Sequence, residues 1–370
     1  MLAPMRISWL LRLVLLVLVL SGCSMKKGSE VYAGLWQTWE QMDTLLQEQY
    51  PDAPPVILVH GWNGGEFTWP SAQELMKLEQ ALQRDVFFFT YRTGLVANRY
   101  PPIEILEEKL DRFLAQYRQV DVVAHSMGGL LIRQYLSHHA ENPIRRIVFL
   151  STPHFGTGAA KLLAELGSLQ PEGNIQAQEI QPGSDFLWVL NEDSGIELEG
   201  HAVLNVLVAP GARWLEGDIV VDPTSAWLPW HAVNIAVRGD HHLGRRLLQM
   251  PRVLAFLREG RLPEPDVLPL EHRAWVRFLA HGKPMSFTPS RITHLDDRGR
   301  RRNDFSVCCE VRAGLYPLGG NTLVLQHIRP EDTFIFYAPK GSREGVRITG
   351  NELISERQPI VLVEKDLAAR

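Results

Sequence analysis

Short uninterrupted apolar runs alternate with stretches of helical period through the middle of this chain, and that alternation limits the fold most. "PPVILVHG" (54–61), "DVFFFTY" (85–91), "VDVVA" (120–124), "IRRIVFLSTP" (144–153), "HAVLNVLVA" (201–209) and "HAVNIAVRG" (231–239) read as strands. Between them, "AQELMKLEQALQR", "IEILEEKLDRFLAQY" and "GGLLIRQYL" repeat apolar residues every three or four positions, and "QMPRVLAFLREG" closes the series with a helix. A strand apolar on both faces must be covered on both faces. The expected fold is therefore α/β, a mostly parallel sheet with helices on each side.

Two stretches break the pattern. Residues 156–200 mix Gly, Pro and Gln with Leu162, Leu163, Leu166, Phe186 and Trp188, and read as a cap inserted between strands. After "LPEPDVLP" the helical period fades. "DFSVCCEVRA", "NTLVLQHI", "DTFIFYA", "GVRIT" and "PIVLVEK" are short strands, so 263–370 is read as a small β-rich domain and 53–262 as the α/β domain.

The N-terminus reads as an export signal. Arg6 and Arg12 precede the apolar run Leu13 to Leu20, which is too short to span a bilayer. The ending Leu20-Ser21-Gly22-Cys23 resembles a bacterial lipobox, whose cysteine becomes the lipidated first residue. That resemblance implies a lipoprotein signal peptide over residues 1–23, an envelope location and anchoring to a membrane surface, with Ser24 pointing to a Gram-negative outer membrane. Residues 24–52 follow as a tether and a helix carrying Leu35, Trp39, Met42, Leu45 and Leu46. A net charge of −4 argues against nucleic acid as a partner. The basic run Arg298 to Arg302 reads as a solvated loop, and the adjacent Cys308 and Cys309 read as unbridged strand thiols.

Position 126 carries the chemistry. "VDVVA" meets "GGLLIRQYL" through His125-Ser126-Met127, a strand-to-helix turn that strains its central residue and points its side chain outward. Neighbours two before and two after must be small, and Ala124 and Gly128 are. The A-H-S-M-G form is similar to the nucleophile turn of some bacterial lipases. From about 54 to 258 the chain resembles α/β-hydrolase lipases and esterases. Besides the turn, "LVHGWNGG" (58–65) is similar to their oxyanion loop. "STPHFGTGA" (151–159) and "IQPGSDFLWVLN" (180–191) are similar to their "TP-x-x-G-T" and "PGS-x-F-L-x-x-L-N" pieces.

The resemblance implies Ser126 as nucleophile and the N–H groups of Met127 and Trp62 as oxyanion donors, in the chain order Ser, acid, His. Asp218 in "GDIVV" is the candidate acid, and Asp222, before Pro223, is its rival and reads better as a turn or cap. His242 in "HLG" is the candidate base, and its neighbour His241 is the alternative, since loop register decides which ring faces the serine. His125 lies on the turn itself and reads as structural. His138 and His139 follow a helix, and His154 sits where it can line the pocket. No cofactor and no metal are implied. Trp62, Trp188, Trp214, Trp227 and Trp230 suit an acyl-binding pocket. The implied activity is hydrolysis of acyl or lipid esters through an acyl-enzyme. An acyltransferase would use the same three residues, and a non-catalytic envelope scaffold is the reading from a different class.

Overall fold

The computed structural model describes residues 49–91, 93, 101–160, 175–209, 217–284, 291–301, 322–326, 328–337 and 345–366. The export signal, residues 24–48 of the tether and helix, Leu162, Leu163, Leu166, Trp214, Arg302, Cys308 and Cys309 lie outside these residues.

Six strands form one sheet: β1 (Val56–Val59), β2 (Val86–Phe89), β3 (Val120–His125), β4 (Ile144–Leu150), β5 (Ala202–Val208) and β6 (Val233–Val237). Their order is β2-β1-β3-β4-β5-β6 and every pairing is parallel. The expected α/β sheet is what forms. Strand β1 shows why its sequence has no polar positions. Ile57 and Val59 point into one apolar layer and Val56 and Leu58 into the other.

The first layer is filled by α2 (Ile103–Leu114) and α3 (Met127–His138), through Leu106, Leu110 and Leu114 and through Leu130, Leu131 and Tyr135. The second is filled by α1 (Ala72–Leu82) and α7 (Pro251–Glu259), through Leu78, Leu82, Val253, Phe256 and Leu257. Burying each such side chain contributes roughly 1.5–3 kcal/mol. Helix α1 begins at a capping box, in which Ser71 N–H and Oγ–H both donate to Glu74, at 3.0 and 2.7 Å.

Of the inserted stretch, the structure describes α4 (Ile175–Glu179), α5 (Asp185–Glu192) and a 3-10 turn, Ile196–Leu198. Helix α6 (Pro223–Ala226) lies between β5 and β6. The C-terminal region forms two further small sheets. One joins β7 (Arg273–Ala280), β8 (Lys283–Pro284), β10 (Thr322–Leu325) and β13 (Ile360–Asp366). The other is antiparallel and joins β9 (Arg291–Leu295), β11 (Thr333–Tyr337) and β12 (Gly345–Thr349). A single helical turn, α8 (Gly350–Leu353), follows β12. Ala274, Val276 and Phe278 of β7 pack on the antiparallel sheet through Phe334 and Phe336. Trp275 on its other face, and Ile360 of β13, join the apolar layer of α2 and α3 instead.

Candidate active site

The strand order reverses between β1 and β3, and in parallel sheets the C-terminal ends of strands at such a point open a crevice for ligands. Ser126 stands there, at the junction of β3 and α3. Its φ of 54° is a left-handed conformation that a serine adopts only when its surroundings impose it. The surroundings do so by close approach. A Cβ at Gly61 would lie 2.6 Å from Ser126 Cβ and 2.9 Å from the His125 carbonyl oxygen. One at Gly128 would lie 2.7 Å from the Val59 carbonyl oxygen. Only glycine lets the loop after β1 touch the turn after β3.

His60 braces that loop. Its ring stacks on Tyr91 at 4.2 Å, Nδ1–H donates to the Gly61 carbonyl at 2.9 Å, and Nε2 accepts from Tyr91 N–H at 3.2 Å. One donor and one acceptor define a neutral imidazole. Burial lowers its pKa to about 4, although the bond to Gly61 acts in the opposite direction.

The imidazole that reaches the serine belongs to His241. Its Nε2 lies 3.1 Å from Ser126 Oγ, and its Nδ1 lies 2.8 Å from Asp218 Oδ2. Asp218 is itself fixed, because Oδ1 accepts the N–H groups of Val220 and Val221, each at 2.8 Å. Burial by itself would raise the Asp218 carboxyl. Electrostatic interaction with the adjacent His241, its hydrogen bond and the two N–H donors outweigh burial and hold the group below the usual carboxylate range.

His242, the sequence-based candidate, does not reach Ser126, and this is a correction. Its backbone N–H donates to Asp240 Oδ1 at 2.9 Å and closes a tight turn that leaves the ring only half-covered. Burial of the half-covered ring, with His241 and Arg245 nearby, lowers its pKa.

His125, read from sequence as structural, has a specific contact. Its Nε2–H donates to the His241 carbonyl at 2.6 Å, and the two rings sit 4.8 Å apart. Burial, then electrostatic interaction with the neighbouring His241, lowers the His125 pKa to about 3, so it holds the His241 loop as a neutral donor. Its place directly before Ser126 was visible, whereas a partner 116 positions away was not.

Asp222 caps α6. It accepts Thr224 N–H at 2.8 Å and pairs with Arg273 at 3.0 Å, away from His241. His154, expected to line the pocket, is fully buried and donates from Nε2 to Asn205 Oδ1 at 3.2 Å. His138 pairs with Glu107 at 3.0 Å, and His139 donates to the Tyr135 carbonyl at 2.8 Å at the end of α3. Trp62 and Trp230 are half-buried on the layer that also holds Met127 and Trp188, whereas Trp227 packs beside Val221. In the basic loop, Arg300 pairs with Asp296 at 2.8 Å in an exposed turn.

The inserted stretch is rooted beside the acid. Thr157 Oγ–H donates to the Val220 carbonyl, and Thr157 N–H donates to the Ile180 carbonyl at 2.9 Å, which ties the start of the insertion to the residue after α4. Arg133, fully buried on α3, grips it from below through Glu197 at 2.6 Å, Asn191 at 3.0 Å and the Leu190 carbonyl at 2.7 Å. A lone arginine among apolar positions of a buried helix was the sequence signal for that contact.

A parallel sheet with a strained serine at its reversal point, a histidine against it and a buried aspartate behind defines the hydrolase class of α/β proteins. The model of the alpha/beta hydrolase family matches residues 56–307, and the chain belongs to that family. Among solved structures it is similar to phospholipase PlaB from Legionella pneumophila, at 13% identity and a TM-score of 0.61, over 85% of this chain and 93% of that one. The same phospholipase in complex with thio-NAD gives a TM-score of 0.60 at 13% identity over the same shares. The lipase BlEst2 of Bacillus licheniformis in its propeptide form is 18% identical, with a TM-score of 0.45 over 79% of this chain and 70% of that one. At 13% identity the likeness to the phospholipase is one of fold. No curated protein matches the sequence.

Proposed function

We propose that the chain is a serine hydrolase of carboxylic esters with lipid-like acyl groups, using Ser126, His241 and Asp218. The observation that carries this is the hydrogen-bonded line from Ser126 Oγ through His241 to Asp218, at 3.1 and 2.8 Å. A hydroxyl is a poor nucleophile at neutral pH and needs a base within reach. With Nδ1–H given to Asp218, Nε2 keeps a lone pair for the hydroxyl proton. Ser126 Oγ bonds to the ester carbonyl carbon as its proton passes to His241 Nε2. The carbonyl oxygen takes the displaced electron pair. His241 then protonates the departing alkoxide and leaves an acyl-serine. Water repeats the sequence, giving one proton to His241, releasing the acid and returning Ser126.

The oxyanion needs donors already in place. Met127 opens α3, so its N–H lies in the first turn, where no carbonyl of the helix can reach it. Trp62 follows the glycine pressed against Ser126. Their N–H groups are the proposed oxyanion donors, each worth about 3–4 kcal/mol of barrier. The apolar insertion, rooted at Val220, and the half-buried Trp62 and Trp230 favour an apolar acyl group. Lipidation of Cys23 would keep the enzyme at an outer-membrane surface beside such substrates.

The test is to treat the full chain and Ser126→Ala with a fluorophosphonate probe and with p-nitrophenyl esters of rising length. Labelling and turnover by the wild type alone are expected. Labelling of both proteins, or of neither, removes the proposal. Incorporation of radioactive palmitate that is lost in Cys23→Ala tests the anchor.

A further inference from the structure

Arg277 is a charged residue in the middle of β7, and it points away from the C-terminal core. Its neighbours Val276 and Phe278 are buried between the two C-terminal sheets, while Arg277 and Trp275 face α5 of the insertion. The guanidinium carbon lies 4.2 Å over the Trp188 ring, and Nη2 pairs with Asp185 at 2.6 Å. Nε donates to Thr322 Oγ1 of β10 at 3.4 Å. Only 4% of Arg277 and 1% of Trp188 are exposed, so the stack operates away from water, whereas the Asp185 end of the ion pair is half-exposed. From Trp188 an aromatic series runs through Trp275 at 6.5 Å and Phe155 at 5.6 Å to Trp230 at 5.6 Å.

One carboxylate pairs with this cation and two more act on it from further off. Asp185 and Glu192 come from α5 and Glu364 from β13, and all three act on Arg277 electrostatically. Without Arg277 the α5 carboxylates and Glu364 would lose the cation that offsets their mutual repulsion. Arg133 holds the opposite side of the insertion to α3, and Thr157 ties its root to the Asp218 loop. Among the described residues the insertion is also tied to α2 through Glu179 and Ile103 N–H, and the C-terminal region reaches it through Arg277 and through Trp275 stacked on Trp188.

We infer that the C-terminal strands brace the insertion over the acyl-binding side of the site, with Arg277 as the positioning residue that sets acceptance of long acyl chains. This rests on the ester-hydrolase reading above. Arg277 lies apart from Ser126, His241 and Asp218 and makes no contact with them. It acts through Trp188 and α5. Short esters occupy the serine and its oxyanion donors alone, so they do not depend on it.

The experiment compares p-nitrophenyl butyrate with p-nitrophenyl decanoate for the full-length wild type, Arg277→Gln and Arg277→Lys. Fluorophosphonate labelling of Ser126 is followed in parallel. For Arg277→Gln, labelling and butyrate turnover at wild-type rates are expected, with KM for decanoate raised about tenfold. Arg277→Lys keeps the charge and loses the planar stack and fork, so an intermediate rise is expected. Asp185→Asn breaks the same pair from its half-exposed end and should shift selectivity in the same direction if Arg277→Gln does not fold. Equal losses on both esters, or unchanged selectivity in folded variants, overturn the brace alone. A wild type that neither labels nor turns over either ester overturns the hydrolase reading and the brace with it.

Discussion

Two buried aspartates mark opposite ends of the same sheet. Asp121, at the start of β3, meets Arg84 at 2.6 Å, Arg145 at 2.9 Å and Arg146 at 3.6 Å. Asp218, beyond the C-terminal end of β5, meets one histidine and two backbone N–H groups. The partners of Asp121 are charged at every working pH. Two of them also cap α7, Arg84 at 3.1 Å and Arg146 at 2.8 Å from the Leu257 carbonyl, where cations suit the helix dipole. Asp218 instead holds a group that can gain and lose a proton, and that group touches a strained serine. The first arrangement can only lock strands, helix and loop together. The second can also move a proton.

If the comparison is right, changes at the two ends should separate activity from stability. His241→Ala is expected to lower kcat by about 10⁴-fold or more, and Asp218→Asn by a similar factor, because the wrong tautomer would face Ser126. Neither should move the denaturant midpoint much. His242→Ala is expected to stay within a few-fold of wild type. Steady-state kinetics on a short ester decide this. A greater loss in His242→Ala than in His241→Ala would reverse the assignment of the base.

At the other end, Asp121→Ala leaves three guanidiniums without their carboxylate. Removing one partner of a buried ion pair typically costs about 3–5 kcal/mol. Urea unfolding should show a loss of that order, while the folded fraction at low temperature keeps wild-type kcat. A variant of normal stability and low activity would mean that the two ends are coupled.

How much of this was legible follows from how local each determinant is. The sheet could be read because each strand is apolar on both faces, a property of four to seven consecutive residues. Ser126 could be read because Ala124, Gly128 and the following helix are its own neighbours. The choice between His241 and His242 could not. It is made by the Asp240 side chain turning back on His242 N–H and by His125 reaching the His241 carbonyl. Arg133 stands out as a single arginine in an apolar helix and Arg277 as one of two arginines in β7, but their partners lie in an insertion whose contacts no periodicity encodes.

His125 is the link between the legible turn and the illegible loop, and its loss should have an intermediate effect. His125→Phe keeps much of the ring volume but removes the donor to His241. The loop would then hold His241 less firmly, and kcat is expected to fall about 10–100-fold, with fluorophosphonate labelling slowed in proportion. Unchanged labelling would show that the turn at Asp240 suffices to set the register.

The smallest effect concerns a third buried carboxylate, which has neither the three arginines of Asp121 nor the histidine of Asp218. Glu179, at the end of α4, accepts Ile103 N–H at 3.0 Å at the start of α2, and no cation offsets its charge among the groups acting on it. Burial pushes its pKa up to about 7, with Glu104 adding to the rise and the Ile103 hydrogen bond opposing it. A raised folded-state pKa means that the native protein holds the proton more tightly than the unfolded chain. The associated stability is complete below the ordinary value near 4.5 and is lost progressively as pH rises to about 7. Glu179→Gln keeps an oxygen for Ile103 N–H and never ionises. Its melting temperature should match that of wild type at pH 4.5 and exceed it by a few degrees at pH 8. A gap that is constant across this range would mean that Glu179 meets a cation, or water, and behaves like the other two carboxylates after all.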